Sequence, residues 1–324
     1  MRIAITGGTG YLGAHTVKRL LESGHQVRLL VAPGCADEPV IAHLAALGEL
    51  TVIDGDIRTA ATVDRLLADA DALIHAAGVV GTDRKRTELM WQINAHATES
   101  VLLSAVTAGL DPVVSVSSYS ALFPPPDGVI TADTPPAPGR SPYAQTKAYA
   151  DRVARRLQAE GAPVVVTYPS SVVGPAHRTA AGVTERGWAP IVRGRAAPRL
   201  RGGMQMIDVR DVAEVHARLM TPGQGPRRYL CGGTMVAFDE MVDTLEAGCG
   251  QRIRRIPLSP AVFRAIGWCS DLVGGVLPLG DGISYEAAML LTAATPTDDA
   301  RTLTELGIDR WRSPRAAILA SFGR

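Results

Sequence analysis

A chain of 324 residues with 46% hydrophobic and 20% charged residues has enough apolar material for a sizeable core without disulfides or metals. Its formal net charge of +1 and lack of a basic run give no electrostatic footprint for nucleic acid or an anionic lipid surface. The cysteines, Cys35, Cys231, Cys249 and Cys269, share no metal-ligand spacing and read as free thiols in a reducing compartment. In chain order, strands are predicted at Arg2–Thr6, Gln26–Ala32, Leu50–Ile53, Ala72–His75, Pro112–Ser117 and Pro163–Thr167. Helical patterns fall between them at Tyr11–Ser23, Val40–Leu47, Ala60–Ala68, Thr87–Ala108 and Tyr143–Glu160. Gly24, Gly48, Gly109 and Gly161 stand where these helices stop, as left-handed C-terminal glycines do. Uniformly apolar strands separated by helices imply a doubly wound parallel sheet covered on both faces.

The rhythm breaks after about Val172. The stretch Gly182–Gly203 holds five glycines, five arginines and two prolines, and is expected to be a loop-rich excursion. A short strand at Met206–Val209 and a helix at Val212–Met220 follow. Then come Arg228–Cys231 with Phe238–Glu246, and Arg252–Ile256 with Ala261–Leu272. Helices near Ser284–Thr292, Asp298–Leu306 and Pro314–Ser321 close the chain. The expected organisation is a dinucleotide-binding domain over 1–172 and a smaller lobe over 173–324, with some segments of the latter returning to the first domain. Met1–Thr6 already reads as a buried strand, which leaves no room for a signal peptide. Ala261–Leu279 is broken by Arg264, Asp271, Gly274, Gly275 and Pro278, too often to span a bilayer. The cytoplasm is the expected compartment.

Two constellations carry chemistry. Gly7, Gly10 and Gly13 follow the first strand and open the first helix, with Thr9, Tyr11 and Leu12 between and beside them. Glycines at this spacing permit a tight turn and close backbone approach to a pyrophosphate, on which the helix N-terminus is aimed. The second strand ends Leu30-Val31-Ala32-Pro33, without the acid that usually grips the ribose 2′-hydroxyl. The cofactor is therefore NAD(P), with NADP slightly favoured because no carboxylate repels a 2′-phosphate. Asp56 and Ile57, after the third strand, are placed at the adenine edge; for Asp56 a plain loop or cap role is the competing reading.

Tyr143 and Lys147 lie one helical turn apart on one face. An ammonium beside a phenol stabilises the phenolate and makes an acid–base group of it. Ser117, Ser118 and Ser120 cluster where the fifth strand ends. Ser118 is the choice for the hydroxyl that bonds the substrate oxygen, Ser117 still belonging to the strand end and Ser120 being the alternate. His75 is expected to be a packed, hydrogen-bonded histidine, and the arginines of 186–201 a solvated loop.

At these residues the chain resembles the extended short-chain dehydrogenase/reductases of the epimerase/dehydratase type over nearly its whole length. The marks are TGGTGYLG (6–13), GDIR (55–58), HAAG (75–78), VSVSS (114–118), SPYAQTK (141–147), YPSSVVGP (168–175) and IDVRDVA (207–213), with Asn94 on the helix between. The resemblance implies a Rossmann-type fold and a Ser118–Tyr143–Lys147 triad. It places Ala76, Ala77, Gly78 and Ser117 along the cofactor, and Tyr168, Pro169, Ser170, Ser171 and Val172 along the nicotinamide. Asn94 is taken as supporting structure. Nucleotide-sugar members place an arginine where Met204 stands, and the dehydratases place Asp-Glu where Tyr119-Ser120 stand. Both departures, with the stretch 193–203 and the apolar C-terminal part, point to the dihydroflavonol reductase and hydroxysteroid dehydrogenase branch. The function expected is hydride transfer between nicotinamide and a carbonyl or secondary alcohol of an apolar small molecule. A nucleotide-sugar epimerase or dehydratase and a non-catalytic NAD(P)-sensing regulator are the alternatives. Homodimerisation through helices 87–108 and 143–160 is a further expectation.

Overall fold

The computed structural model describes residues 1–81, 84–273 and 284–323. It begins β1 (Arg2–Thr6), α1 (Tyr11–Glu22), β2 (Gln26–Val31), α2 (Pro39–Ala45), β3 (Leu50–Asp54), α3 (Ala60–Leu67) and β4 (Ala72–His75). A long helix follows in two parts, α4 (Thr87–Met90) and α5 (Thr98–Thr107), joined by a wider π-helical segment at Trp91–Ala97. Then come β5 (Val113–Val116), α6 (Pro142–Ala159), β6 (Val164–Pro169) and β7 (Ser171–Val173). The remainder runs α7 (Val183–Gly194), β8 (Ala196–Arg199), β9 (Gly203–Asp208), α8 (Val209–Arg218), β10 (Arg227–Cys231), β11 (Thr234–Ala237) and α9 (Phe238–Cys249). It ends with β12 (Arg254–Pro257), α10 (Pro260–Val273), α11 (Tyr285–Ala293), α12 (Ala300–Glu305) and α13 (Pro314–Ser321).

Seven strands form one parallel sheet in the order β10-β6-β5-β4-β1-β2-β3. Side chains alternate across a strand, so Ile3 and Ile5 pack with Val17, Leu20 and Val215 on one face while Ala4 packs with Val63, Val101 and Leu102 on the other. Both faces are buried, which is why these strands are apolar throughout. The order reverses between β1 and β4, and the crevice beyond their C-terminal ends is where such sheets bind ligands. The outer strand β10 comes from late in the sequence and pairs with β6. Asp299 fastens that return by accepting from the amides of Gly232 and Gly233 (3.1 and 3.0 Å) and from the Trp311 indole (2.7 Å).

A third core, with Trp188, Met206, Phe238, Leu245 and Phe263, lies under α7, α9 and α10. The predicted loop at Gly182–Gly203 is thus mostly ordered: α7 and β8 occupy it, despite Pro190 inside the helix. Local composition reads as breakers, but burial of Trp188 and Glu185, and pairing of β8 with β12, outweigh it. Gly24, Gly109 and Gly161 take positive φ as expected, whereas Gly48 does not. The far end of the apolar stretch read to Leu279 lies outside the described residues. Among the described residues no helix is long and apolar enough to cross a membrane.

The turn after β1 sets the crevice. Gly7 has φ +74°, and a Cβ there would stand 2.6 Å from the backbone of Ala76 and Ala77 at the end of β4. A Cβ on Gly13 would run into the Gly7 carbonyl. Gly13→Ala is therefore expected to cost roughly 1–3 kcal/mol of stability and to weaken dinucleotide binding at least tenfold. Thermal unfolding and fluorescence titration of the variant check both.

Candidate active site

The glycine turn closes with the Gly10 amide donating to the Gly7 carbonyl (3.1 Å). Gly10 is also the N-cap of α1 and offers no side chain to the first-turn amides, which leaves them available to an anion. Thr6 holds the adjoining strand end: its hydroxyl accepts from the Ala77 amide (3.1 Å) and pairs with His75 Nδ1 (2.9 Å). His75 Nε2 pairs with the Thr98 hydroxyl (2.9 Å), and burial lowers its pKa to about 3. The packed reading of His75 is the one the geometry supports.

An open cleft of about 830 Å³ runs from this turn across the sheet ends. Gly7, Thr9, Gly10, Tyr11, Leu12 and Gly13 line it, as do Ala76, Ala77, Gly78, Asp56 and Ile57. Asp56 also accepts from the Arg58 amide (2.9 Å) and its guanidinium (2.6 Å), and these bonds hold its carboxyl below the usual range. Leu30, Ala32, Pro33 and Arg58 also line the cleft, and Arg58 donates to Gln92 (2.8 Å) as well as to Asp56. Arg58 was not singled out from sequence, although it directly follows the two residues that were.

At the other end, the Ser117 amide donates to the Thr167 carbonyl (2.9 Å), which keeps Ser117 in register with β6. Its hydroxyl is buried and has no protein partner among the described residues. Ser118 caps the short turn Tyr119–Leu122, and its oxygen accepts from the Ser120 amide (3.3 Å) and the Ser120 hydroxyl (3.0 Å). The helix α6 brings Tyr143 and Lys147 to the same cleft. Lys147 Nζ donates to the Val116 carbonyl (3.0 Å), and burial lowers its pKa to about 8. Burial raises Tyr143 to about 12, with the Ser118 hydroxyl acting the other way. Asn94, in the π-helical segment, clamps Val79 through its amide (2.7 Å) and carbonyl (2.9 Å) and reaches Thr146 (3.3 Å). Wider turns of this kind often occur at functional sites.

Pro169, Ser170, Ser171 and Val172 line the cleft. The side chain of Tyr168 does not: it lies in the core beneath α6, donating to Asp151 (2.6 Å) and accepting from Arg155 (3.0 Å). Alternation along β6 sends it to the opposite face of the sheet. The remaining wall comes from Val80, Leu89, Val183, Met204, Ala287, Leu290 and Leu291, with Arg86, Arg186 and Glu286 as charged members. The arginines of 186–201 are solvated as expected, but on α7 and around β8 rather than in a loop: Arg186 borders the open cleft and, like Arg193, Arg195, Arg199 and Arg201, is exposed. Glu286 and the leucines of α11 were missed, because a helix pattern does not tell which cleft the helix returns to. No group of histidine, cysteine and acidic residues fit for a metal exists among the described residues.

A family model described as the NAD dependent epimerase/dehydratase family matches residues 3–232. The chain belongs to that family. Its relatives include sterol demethylase protein B of Methylococcus capsulatus, 28% identical over 316 residues that cover 95% of this chain and 93% of that one. A dihydroflavonol reductase-like protein of Synechocystis is 25% identical over 94% of this chain and 89% of its own. Among solved structures, a UDP-glucuronic acid 4-epimerase from Bacillus cereus, in complex with UDP-glucuronic acid and NAD, superposes with TM-score 0.76 over 100% of this chain and 98% of that one. At 18% identity that likeness is one of fold. The residues present fit the family's dinucleotide: a glycine cradle that a Cβ would fill, an uncapped helix N-terminus, and the unpartnered Ser117 hydroxyl.

A buried lysine whose pKa is lowered binds fewer protons in the folded than in the unfolded chain between about pH 8 and 10.5. The penalty is complete below pH 8 and vanishes as pH rises through that window. Lys147→Met is accordingly expected to raise stability by roughly 1–3 kcal/mol at pH 7, with the gain shrinking toward pH 10.5. Denaturant unfolding of both proteins across this range checks the sign.

Proposed function

We propose that the chain is an NAD(P)-dependent oxidoreductase that interconverts a carbonyl and a secondary or primary alcohol on an apolar small molecule. One observation carries this reading. Ser118, Tyr143 and Lys147 border the cleft that begins at the glycine turn, and the rest of its wall is largely aliphatic. The dinucleotide, when bound, supplies or takes up the hydride. In the reducing direction Tyr143 gives its phenolic proton to the substrate oxygen as that oxygen gains negative charge. Ser118 donates a hydrogen bond to the same oxygen and so lowers the cost of that charge. Lys147, one turn along α6, stabilises the phenolate left behind. Burial opposes both a charged lysine and a charged tyrosinate, so each ion favours the other once the proton has moved.

Arg58, which lines the same cleft as Ala32 and Pro33, supports a slight preference for NADP, since a guanidinium within reach attracts a 2′-phosphate and no acid of β2 repels it. Its pairing with Asp56 keeps the preference small. A second reading, epimerisation of a nucleotide sugar, draws on the family and on Arg86 and Arg186 in the cleft wall, cations suited to a diphosphate. Met204 and the leucines of α11 favour the first.

The test is a panel of apolar ketones, aldehydes and alcohols followed by reduced-nicotinamide absorbance, beside calorimetry with UDP-sugars. Turnover of an apolar carbonyl supports the proposal; tight UDP-sugar binding with no such turnover supports the epimerase. Tyr143→Phe is expected to retain dinucleotide binding and lose about 10²–10⁴-fold in turnover. NADP(H) and NAD(H) dissociation constants are expected within about tenfold, roughly 1.4 kcal/mol, with Arg58→Ala weakening NADP(H) more than NAD(H). A hundredfold preference for NAD(H) would contradict this view of the ribose end.

A further inference from the structure

The helix that carries Tyr143 starts at Ser141, whose hydroxyl accepts from the Ala144 amide (3.1 Å). In a capping box the third helical residue is a Glu or Gln whose side chain reaches back to the N-cap amide. Here that residue is Ala144, which has nothing to reach with. The missing acceptor arrives from far along the chain: Glu286, near the start of α11, accepts from the Ser141 amide through Oε2 at 2.7 Å across 145 residues. Ser284 caps α11 by accepting from the Ala287 amide (3.0 Å), which sets the first turn of that helix and with it Glu286. Both Ser141 and Glu286 line the cleft that holds Tyr143.

We propose that Glu286 is a positioning residue that completes, from the C-terminal part of the chain, the cap of the helix bearing Tyr143, and thereby ties the substrate wall on α11 to the acid–base group. This rests on the reading of Tyr143 as that group. The carboxylate favours the positive end of α6 at the one point where both helices begin. Burial does most to raise the pKa of Tyr143 and of Tyr119, and the Glu286 charge adds to both in the same direction. The groups that act on Tyr143 are Ser118 and Tyr119 from the turn after β5 and Glu286 on α11, while Lys147 on α6, held to the Val116 carbonyl, and Arg86 and Arg186 also line the cleft. Removing the Glu286 charge therefore makes Tyr143 easier to ionise. In the oxidising direction, where ionised Tyr143 accepts the proton, the rising limb of activity moves to lower pH.

The experiment pairs Glu286→Ala with Glu286→Gln. Amide hydrogen exchange of the whole protein is expected to quicken about tenfold or more at Ser141 in Glu286→Ala and to stay near wild type in Glu286→Gln, which keeps an acceptor oxygen. In the pH profile of alcohol oxidation, the limb is expected to move down by about half a pH unit or more in both variants. Unchanged exchange in Glu286→Ala would overturn the cap, and an unmoved limb in Glu286→Gln would overturn the charge effect. If Glu286→Ala fails to fold, Ser141 exchange in Glu286→Leu, which fills the same space without an acceptor, decides the cap in its place, and the limb in Glu286→Gln decides the charge effect. Full turnover by Tyr143→Phe would instead refute the acid–base reading, while the exchange comparison would judge the cap on its own.

Discussion

The approach of Gly7 to the backbone of Ala76 and Ala77 is the contact on which the site depends. Two sheet strands that are neighbours in space, β1 and β4, end there, and the space between their ends admits no side chain. The same glycine carbonyl lies under Gly13, so the first turn of α1 settles directly on the strand end. An anion-binding helix terminus is thus held at the point where the strand order reverses. Everything else in the cleft is built outward from this junction: Ser117 and Ser118 from β5, Tyr143 and Lys147 from α6, and the apolar wall from α7, β9 and α11.

Burial then determines the chemistry. His75 sits between two threonine hydroxyls with both ring nitrogens engaged, and its lowered pKa leaves it neutral at pH 7. Asn94 spends its amide on Val79 and Thr146. Asn94 satisfies the Val79 backbone and His75 the two hydroxyls, and neither adds charge beside Lys147. On the proposed mechanism the ammonium acts in a medium of low dielectric, where a developing phenolate gains far more from it than in water. A site of this kind stores its electrostatics in the folded chain before any ligand arrives.

Much of this was legible in the residues. The parallel sheet could be read because strands covered on both faces are apolar at every position, and the glycine turn because only glycine fits where two backbones touch. Tyr143 and Lys147 could be read because helical spacing is fixed. What could not be read depends on tertiary return. The residues around Trp188 look like loop, with Gly187 and Pro190 beside it, yet the third core makes a helix of them. Tyr168 stands within a motif, but the alternation of β6 turns it into the core. Glu286 carries no local signal at all, since its partner is Ser141 and the link spans 145 residues.

The central claim is that one cleft places a substrate oxygen between the Ser118 and Tyr143 hydroxyls, with an aliphatic wall around the remainder of the molecule. A crystal structure of the protein with NADP and an apolar ketone tests it most directly. The account predicts the ketone oxygen within hydrogen-bond distance, about 2.6–3.2 Å, of both hydroxyls, with the carbon skeleton against Met204, Leu290 and Leu291. A nicotinamide ring held away from Tyr143, or a ketone bound with its oxygen turned from Ser118, would contradict it.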